Sequence, residues 1–112
     1  MRTVTTDAGT TAYLKDQSVQ YAGTPAQEAI LDAAAPLYAP TKQRLVVTSA
    51  NDGAHMDGSL HYDDQALDLR VWALPNPRGL ARRLQRELGE DFDVVFEETH
   101  IHAERDPEEP KE

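Results

Sequence analysis

The four histidines of this chain fall in two short clusters, His55 with His61 and His100 with His102. Asp68 follows the first cluster, and Glu97 and Glu98 precede the second. Histidines spread for solubility or packing have no reason to crowd in this way. Nitrogen and oxygen donors arriving from two separate segments, with a spare carboxylate nearby, are what an open zinc site requires. The chemistry they point to is metal-assisted hydrolysis.

Geometry limits how these residues can meet. On a continuous strand, His61 and Asp68 would stand more than ~20 Å apart at ~3.3 Å per residue. Sharing one ion demands a bend, and Asp63-Asp64 is the natural place for it, because Asp tolerates turn conformations. On a strand, His100 and His102 face the same side and Ile101 points into the core. Glu98 shares their parity; Glu97 does so only if the chain turns or bulges at Glu98-Thr99. Parity alone therefore favours Glu98 as the carboxylate of the site. Glu104 also shares parity with the histidines and could orient one of them from behind.

The elements that must position these groups can be outlined. Thr24 offers a helix N-cap with Pro25 in the first position, and Ile30, Leu31, Ala34, Leu37 and Tyr38 recur at helical spacing. A helix over 25–38 follows, with Pro36 bending or shortening its last turn. A weak strand is expected around Thr11–Leu14, a buried one over 44–49 and another over 66–72. Asn76 and Pro77 open a second helix with Leu80, Leu84 and Leu88 on one stripe, ended by Gly89. Arg78, Arg82, Arg83 and Arg86 lie off that stripe and read as a solvated face. Strand material is expected over 93–97 and 100–104. Trp72 reads as packing, and Tyr62 has no assigned role. The class is α+β, a small and largely antiparallel sheet covered by two helices.

The 112 residues suffice for one domain, expected over 1–105, with the Pro-rich acidic stretch 106–112 as a frayed terminus. The chain contains no cysteine, so disulfides are excluded and zinc would be held by His and carboxylate alone. A net charge of −9 disfavours a general DNA or RNA binder. No apolar run approaches the ~20 residues of a membrane helix, and the first residues lack the apolar stretch of a secretory signal. The expected location is cytoplasmic as synthesised, and the residues specify no oligomeric state.

The two clusters, in this order, resemble the zinc D-alanyl-D-alanine carboxypeptidases and murein endopeptidases that share a fold with the hedgehog signalling domain. The resemblance covers roughly residues 45–106. It implies that His61, Asp68 seven residues on, and His102 ligate Zn2+. It also places Glu97, five residues before His102, as the general base and His100 beside the reacting carbonyl. The stretches Asp52-Gly53-Ala54-His55 and Ser59-Leu60-His61-Tyr62 look particularly like the hedgehog domain and small phage-associated peptidases, with His55 an accessory histidine. The resemblance thus favours Glu97 where strand parity favours Glu98.

Two departures bear on substrate rather than on metal. Family members usually carry Gly in the bend where this chain has Asp64. The carboxypeptidases clamp a substrate carboxylate with an arginine where this chain has Ala50, Asn51 and Asp52. The hedgehog domain's calcium-binding acids are largely missing, so no calcium is expected. The activity implied is hydrolysis of a peptidoglycan stem-peptide amide involving a D-amino acid, of carboxypeptidase or endopeptidase type. Water activated by Zn2+ would lose its proton to Glu97. The enzyme would be bacterial, or delivered to the cell wall by a bacteriophage. Two other readings stay open: a non-catalytic zinc-binding interaction module of hedgehog-like fold, and a structural phage component with a relic site.

Overall fold

Thr24 accepts a hydrogen bond from the Gln27 amide and begins a helix whose Pro25 needs no donor, giving α1 (Pro25–Tyr38). Asn76 does the same for α2 (Pro77–Leu88) through the Gly79 amide at 3.0 Å. A Cβ at position 79 would lie 2.4 Å from the Asn76 side chain, so the cap requires glycine there. α1 continues past Pro36 to Tyr38, so the proline does not shorten it. Pro36 is exposed, which places the carbonyl it leaves unbonded on the solvent side.

The computed structural model describes residues 2–50 and 65–106. Six strands accompany the helices: β1 (Arg2–Thr5), β2 (Thr11–Leu14), β3 (Val46–Ala50), β4 (Ala66–Arg70), β5 (Phe92–Phe96) and β6 (His100–Arg105). They form one sheet in the order β1-β2-β3-β4-β6-β5. Only β2 and β3 pair in parallel, joined through α1; the other neighbours are antiparallel. The molecule is therefore α+β, with a mostly antiparallel six-stranded sheet and two helices. Among the described residues, no helix is long and apolar enough to cross a membrane.

Side-chain alternation divides the sheet into two faces. Ala12, Leu14, Val47, Leu67, Leu69, Ile101 and Ala103 are buried and join Ile30, Leu31, Ala34 and Leu37 of α1 and Leu80, Ala81 and Leu84 of α2 in one core. Ala66, Asp68 and Arg70 on β4 alternate with that buried set, as do His100, His102 and Glu104 on β6, and all six are partly exposed. The helices cover one face and leave the polar residues of β4 and β6 on the other.

Three glutamines tie helix or loop to strand. The Gln27 side chain, fully buried, accepts from the amides of Ala22, Gly23 and Thr24 and donates to the Ala66 carbonyl at 3.4 Å, linking the start of α1 to the start of β4. Gln43 accepts from the Ala73 amide at 2.8 Å, just beyond β4. Gln85 of α2 accepts from the Val94 amide at 2.9 Å and donates to the Phe92 carbonyl at 2.6 Å, covering part of the outer edge of β5.

Replacing Gln27 by Ala strands buried backbone donors together with an acceptor. Gln27→Ala is expected to destabilise the fold by about 2–3 kcal/mol, measured by denaturant unfolding. A loss below about 0.5 kcal/mol, the ordinary scale of a surface substitution, would show that this tie does not hold α1 to β4.

Candidate functional site

The register of β4 against β6 decides which polar residues meet. Asp68 lies directly opposite His102, and Arg70 opposite His100. Side chains paired this way sit about 4.5–5.5 Å apart at their Cβ atoms, close enough for direct contact. Asp68 Oδ1 stands 2.7 Å from His102 Nδ1. Its other oxygen, Oδ2, lies 3.6 Å from His100 Nε2. On the far side of the ring, His102 Nε2 is 2.9 Å from Glu104 Oε1. His100 is turned by a 2.9 Å hydrogen bond between its Nδ1 and the Thr99 hydroxyl.

The chain therefore places His102 between two carboxylates. Both ring nitrogens can donate only when the imidazole carries its second proton. The hydrogen bond to Asp68 is the main cause that raises the His102 pKa from 6.5 to about 9; burial opposes it, and Glu104 adds to it. Side-chain exposure of 23% for His102 and 16% for Asp68 leaves the pair reachable yet only thinly solvated.

Imidazole nitrogen and carboxylate oxygen are donors of the kind zinc takes, and two of them meet here. A cation taking the place of the proton on Nδ1 would be shared with Asp68, while Nε2–H stays held by Glu104. Carboxylate support behind a ligating histidine fixes its tautomer and ring orientation. Glu104, which shares strand parity with His102, meets its ring on the side away from Asp68. His55, His61 and the bend expected at Asp63-Asp64 lie outside the described residues.

The hairpin joining β5 to β6 bears on the parity conflict between Glu97 and Glu98. The Glu97 amide donates to the His100 carbonyl at 2.8 Å, and Glu98 has φ +74°. The chain turns at Glu98-Thr99, so the parity that aligned Glu98 with the histidines does not apply. Glu97 instead extends β5 opposite His100, in phase with the exposed Asp93 and Val95. Both glutamates are solvent-exposed.

Two features of this face were not foreseen. Trp72 is not a packing residue: it is 76% exposed, with the Arg70 guanidinium 3.9 Å from its ring centroid. Trp72 shares parity with Asp68 and Arg70 of the open face, while its neighbour Val71 is buried; beyond β4 the chain turns, the Leu74 amide bonding the Val71 carbonyl. The other is a carboxylate cluster. Among the described residues, Asp93, Glu104 and Asp106 offer oxygens within 4.8 Å of one another. Exposed acids gather this way without an ion, and Glu104 already serves His102.

Compared with known proteins, the chain matches no family model and no curated protein.

The metal-free full chain offers a direct check on the site. His102 is expected to titrate near pH 9, followed by its ring carbon resonances, and Glu104→Gln should lower that value. Because the folded value lies above the ordinary 6.5, the carboxylate contacts stabilise the metal-free fold fully below about pH 6.5. That contribution is lost as pH rises through about 9. A His102 titration at or below 6.5 would contradict the two-carboxylate arrangement.

Proposed function

We propose that the chain is a zinc-dependent peptidase that hydrolyses an amide bond in D-amino-acid-containing stem peptides of peptidoglycan. The observation that carries this reading is the opposition of Asp68 and His102 across β4 and β6, with their side chains 2.7 Å apart on the face the helices leave open. The order of the two residue clusters and their resemblance to the zinc carboxypeptidases and murein endopeptidases support it. His61, Asp68 and His102 would hold the ion, with Glu104 orienting His102 from behind.

Zinc, when bound, supplies a Lewis acid and brings water within reach of deprotonation near neutral pH. The remaining work falls to the chain. Glu97, at the end of β5, accepts the proton of the attacking water and delivers it to the leaving amine. Its place opposite His100 puts the base and that imidazole on the same rim of the site. His100, steadied by Thr99, donates to the carbonyl oxygen as negative charge gathers there. The hairpin turn at Glu98-Thr99 sets the spacing between base and imidazole, so Glu98 itself needs no part in proton transfer.

A zinc-binding interaction module is the alternative. It would use the same ligands without needing a carboxylate at position 97, and the presence of Glu97 favours the enzyme.

Digestion of defined muropeptides by the zinc-loaded full chain, with fragments identified by mass, tests the proposal. Wild type should release a new amine at one bond, and Glu97→Ala should slow this by about 10²–10⁴-fold with zinc content unchanged. Loss of activity in Glu98→Ala with Glu97→Ala active would reassign the base. Absence of cleavage in wild type, with zinc retained, would favour the binding module.

A further inference from the structure

Four of the 11 lysines and arginines of the chain lie on the 12 residues of α2, at positions 78, 82, 83 and 86. Three of them, Arg78, Arg82 and Arg86, recur one helical turn apart and line a groove of about 520 Å³ against Val94, Val95 and Phe96 of β5. All three are exposed. The Arg78 guanidinium lies 5.2 Å from the centre of the Phe96 ring, while Gln85 meets Phe92 and Val94. Helix and strand therefore run side by side in opposite directions, and the groove follows the outer edge of the sheet.

This stripe works against the helix that carries it. Like charges at i and i+4 repel, and Arg78 adds positive charge to a first turn that holds no acid and whose dipole favours one. Arg83, which does not line the groove, has Glu87 one turn on. Among the described residues, no ion pair joins Arg78, Arg82 or Arg86 to any acid of a chain that has 20. Local rules are broken in this way at functional surfaces. In a chain of net charge −9, three arginines in a row without acidic partners fit an anionic ligand.

The strand wall of the groove narrows the kind of anion. The Glu97 amide bonds inward to His100, while the Phe92 carbonyl and the Val94 amide face outward to Gln85. The same alternation turns the Val94 carbonyl and the Phe96 amide outward. Beyond Gln85 the edge thus offers an acceptor and a donor to an extended backbone. Side chains of a strand added there alternate between the helix side and the open face. On the helix side they meet the arginines, whose spacing of about 6 Å along α2 nearly equals the roughly 6.7 Å between alternate residues of a strand. On the open face they pass Val95, 46% exposed, which stands between the exposed acids Asp93 and Glu97. Carboxylates are unwelcome on that side.

We propose that the groove between α2 and β5 docks an acidic peptide segment of a partner protein, bound as an added edge strand with carboxylates at alternate positions and uncharged side chains between them. A polynucleotide would bring anions but no peptide backbone for the strand edge, and the net charge of −9 repels it. The groove is independent of the zinc reading and does not require it.

The test is fluorescence anisotropy of fluorescein-labelled Glu-Val-Glu-Val-Glu-amide with the full chain at low ionic strength. This peptide is expected to bind at least about tenfold more tightly than Gln-Val-Gln-Val-Gln-amide and about threefold more tightly than the isomer Glu-Glu-Glu-Val-Val-amide. Arg82→Gln should weaken binding about fivefold or more. Arg83→Gln, the same change of charge outside the groove, should stay within about twofold. Both positions are exposed, so both variants keep the fold.

Equal binding of the Gln peptide or of the isomer, or an Arg83→Gln loss as large as that of Arg82→Gln, would each overturn the proposal. Tighter binding of an oligothymidylate of equal charge would do the same. Absence of binding in wild type would also overturn it. Binding that appears only in Glu108→Gln/Glu109→Gln would assign the groove to the chain's own acidic tail, and a dimer dissolved by Arg82→Gln would assign it to a second copy.

Discussion

One cross-strand contact organises this protein: the carboxylate of Asp68 against the imidazole of His102, 2.7 Å apart. It exists because β4 and β6 are neighbours in antiparallel register, with residue 68 opposite residue 102. A slip of one residue would turn every side chain of one strand to the other face. Asp68 and Arg70 would then press into the core while Leu67 and Leu69 met solvent. Burial of Leu67, Leu69, Ile101 and Ala103 under the helices therefore fixes the same register that aligns the polar groups. The hydrophobic effect on one face sets the chemistry on the other.

The sheet carries this arrangement through its order. β6 is inserted between β4 and β5, two strands that precede it in the chain, so the late histidines arrive beside the early aspartate. The α2 crossover makes the insertion possible, and Gln85 ties that helix to the outer edge of β5. Beyond β5, the turn at Glu98-Thr99 returns the chain at once into β6. That turn holds a non-glycine residue at φ +74°, a conformation L-residues seldom take. Its place between Glu97 and His100 shows local backbone strain beside the candidate site, a common feature of positions held for a purpose.

Much of this was legible in the residues. The helices announced themselves through Thr24-Pro25 and Asn76-Pro77, where a capping side chain and a proline precede an apolar stripe. The burial of Ile101 between two partly exposed histidines followed from strand alternation alone. β1 was not legible, because Val4 is its one apolar residue and an edge strand with no buried face has no pattern to show. The conflict between Glu97 and Glu98 could not be settled from spacing, since parity is lost at a turn whose position depends on a left-handed residue that is not glycine. Trp72 was misread as packing because a large aromatic ring at the end of a strand was given to the core, although its parity with Asp68 and Arg70 sets it on the open face. The approach of Arg70 to Trp72 had no sequence signal beyond their spacing of two.

The polar face has a consistent physical logic. His102 is held from both sides, by the acid that would share a cation with it and by Glu104, which keeps its ring from turning. His100 is held by Thr99, and Arg70 by Trp72. Each of these side chains is paired with one that restrains it, which would limit the entropy lost if an ion were bound there. The central claim is that this restraint serves a metal. The most direct measurement is calorimetric titration of zinc into the full chain and into its Asp68→Ala and His102→Ala variants, with bound metal counted after dialysis. The account predicts about one zinc per wild-type chain and affinity weakened by more than about tenfold in each variant. A wild-type chain that binds no zinc, or variants that bind it as tightly as wild type, would contradict it.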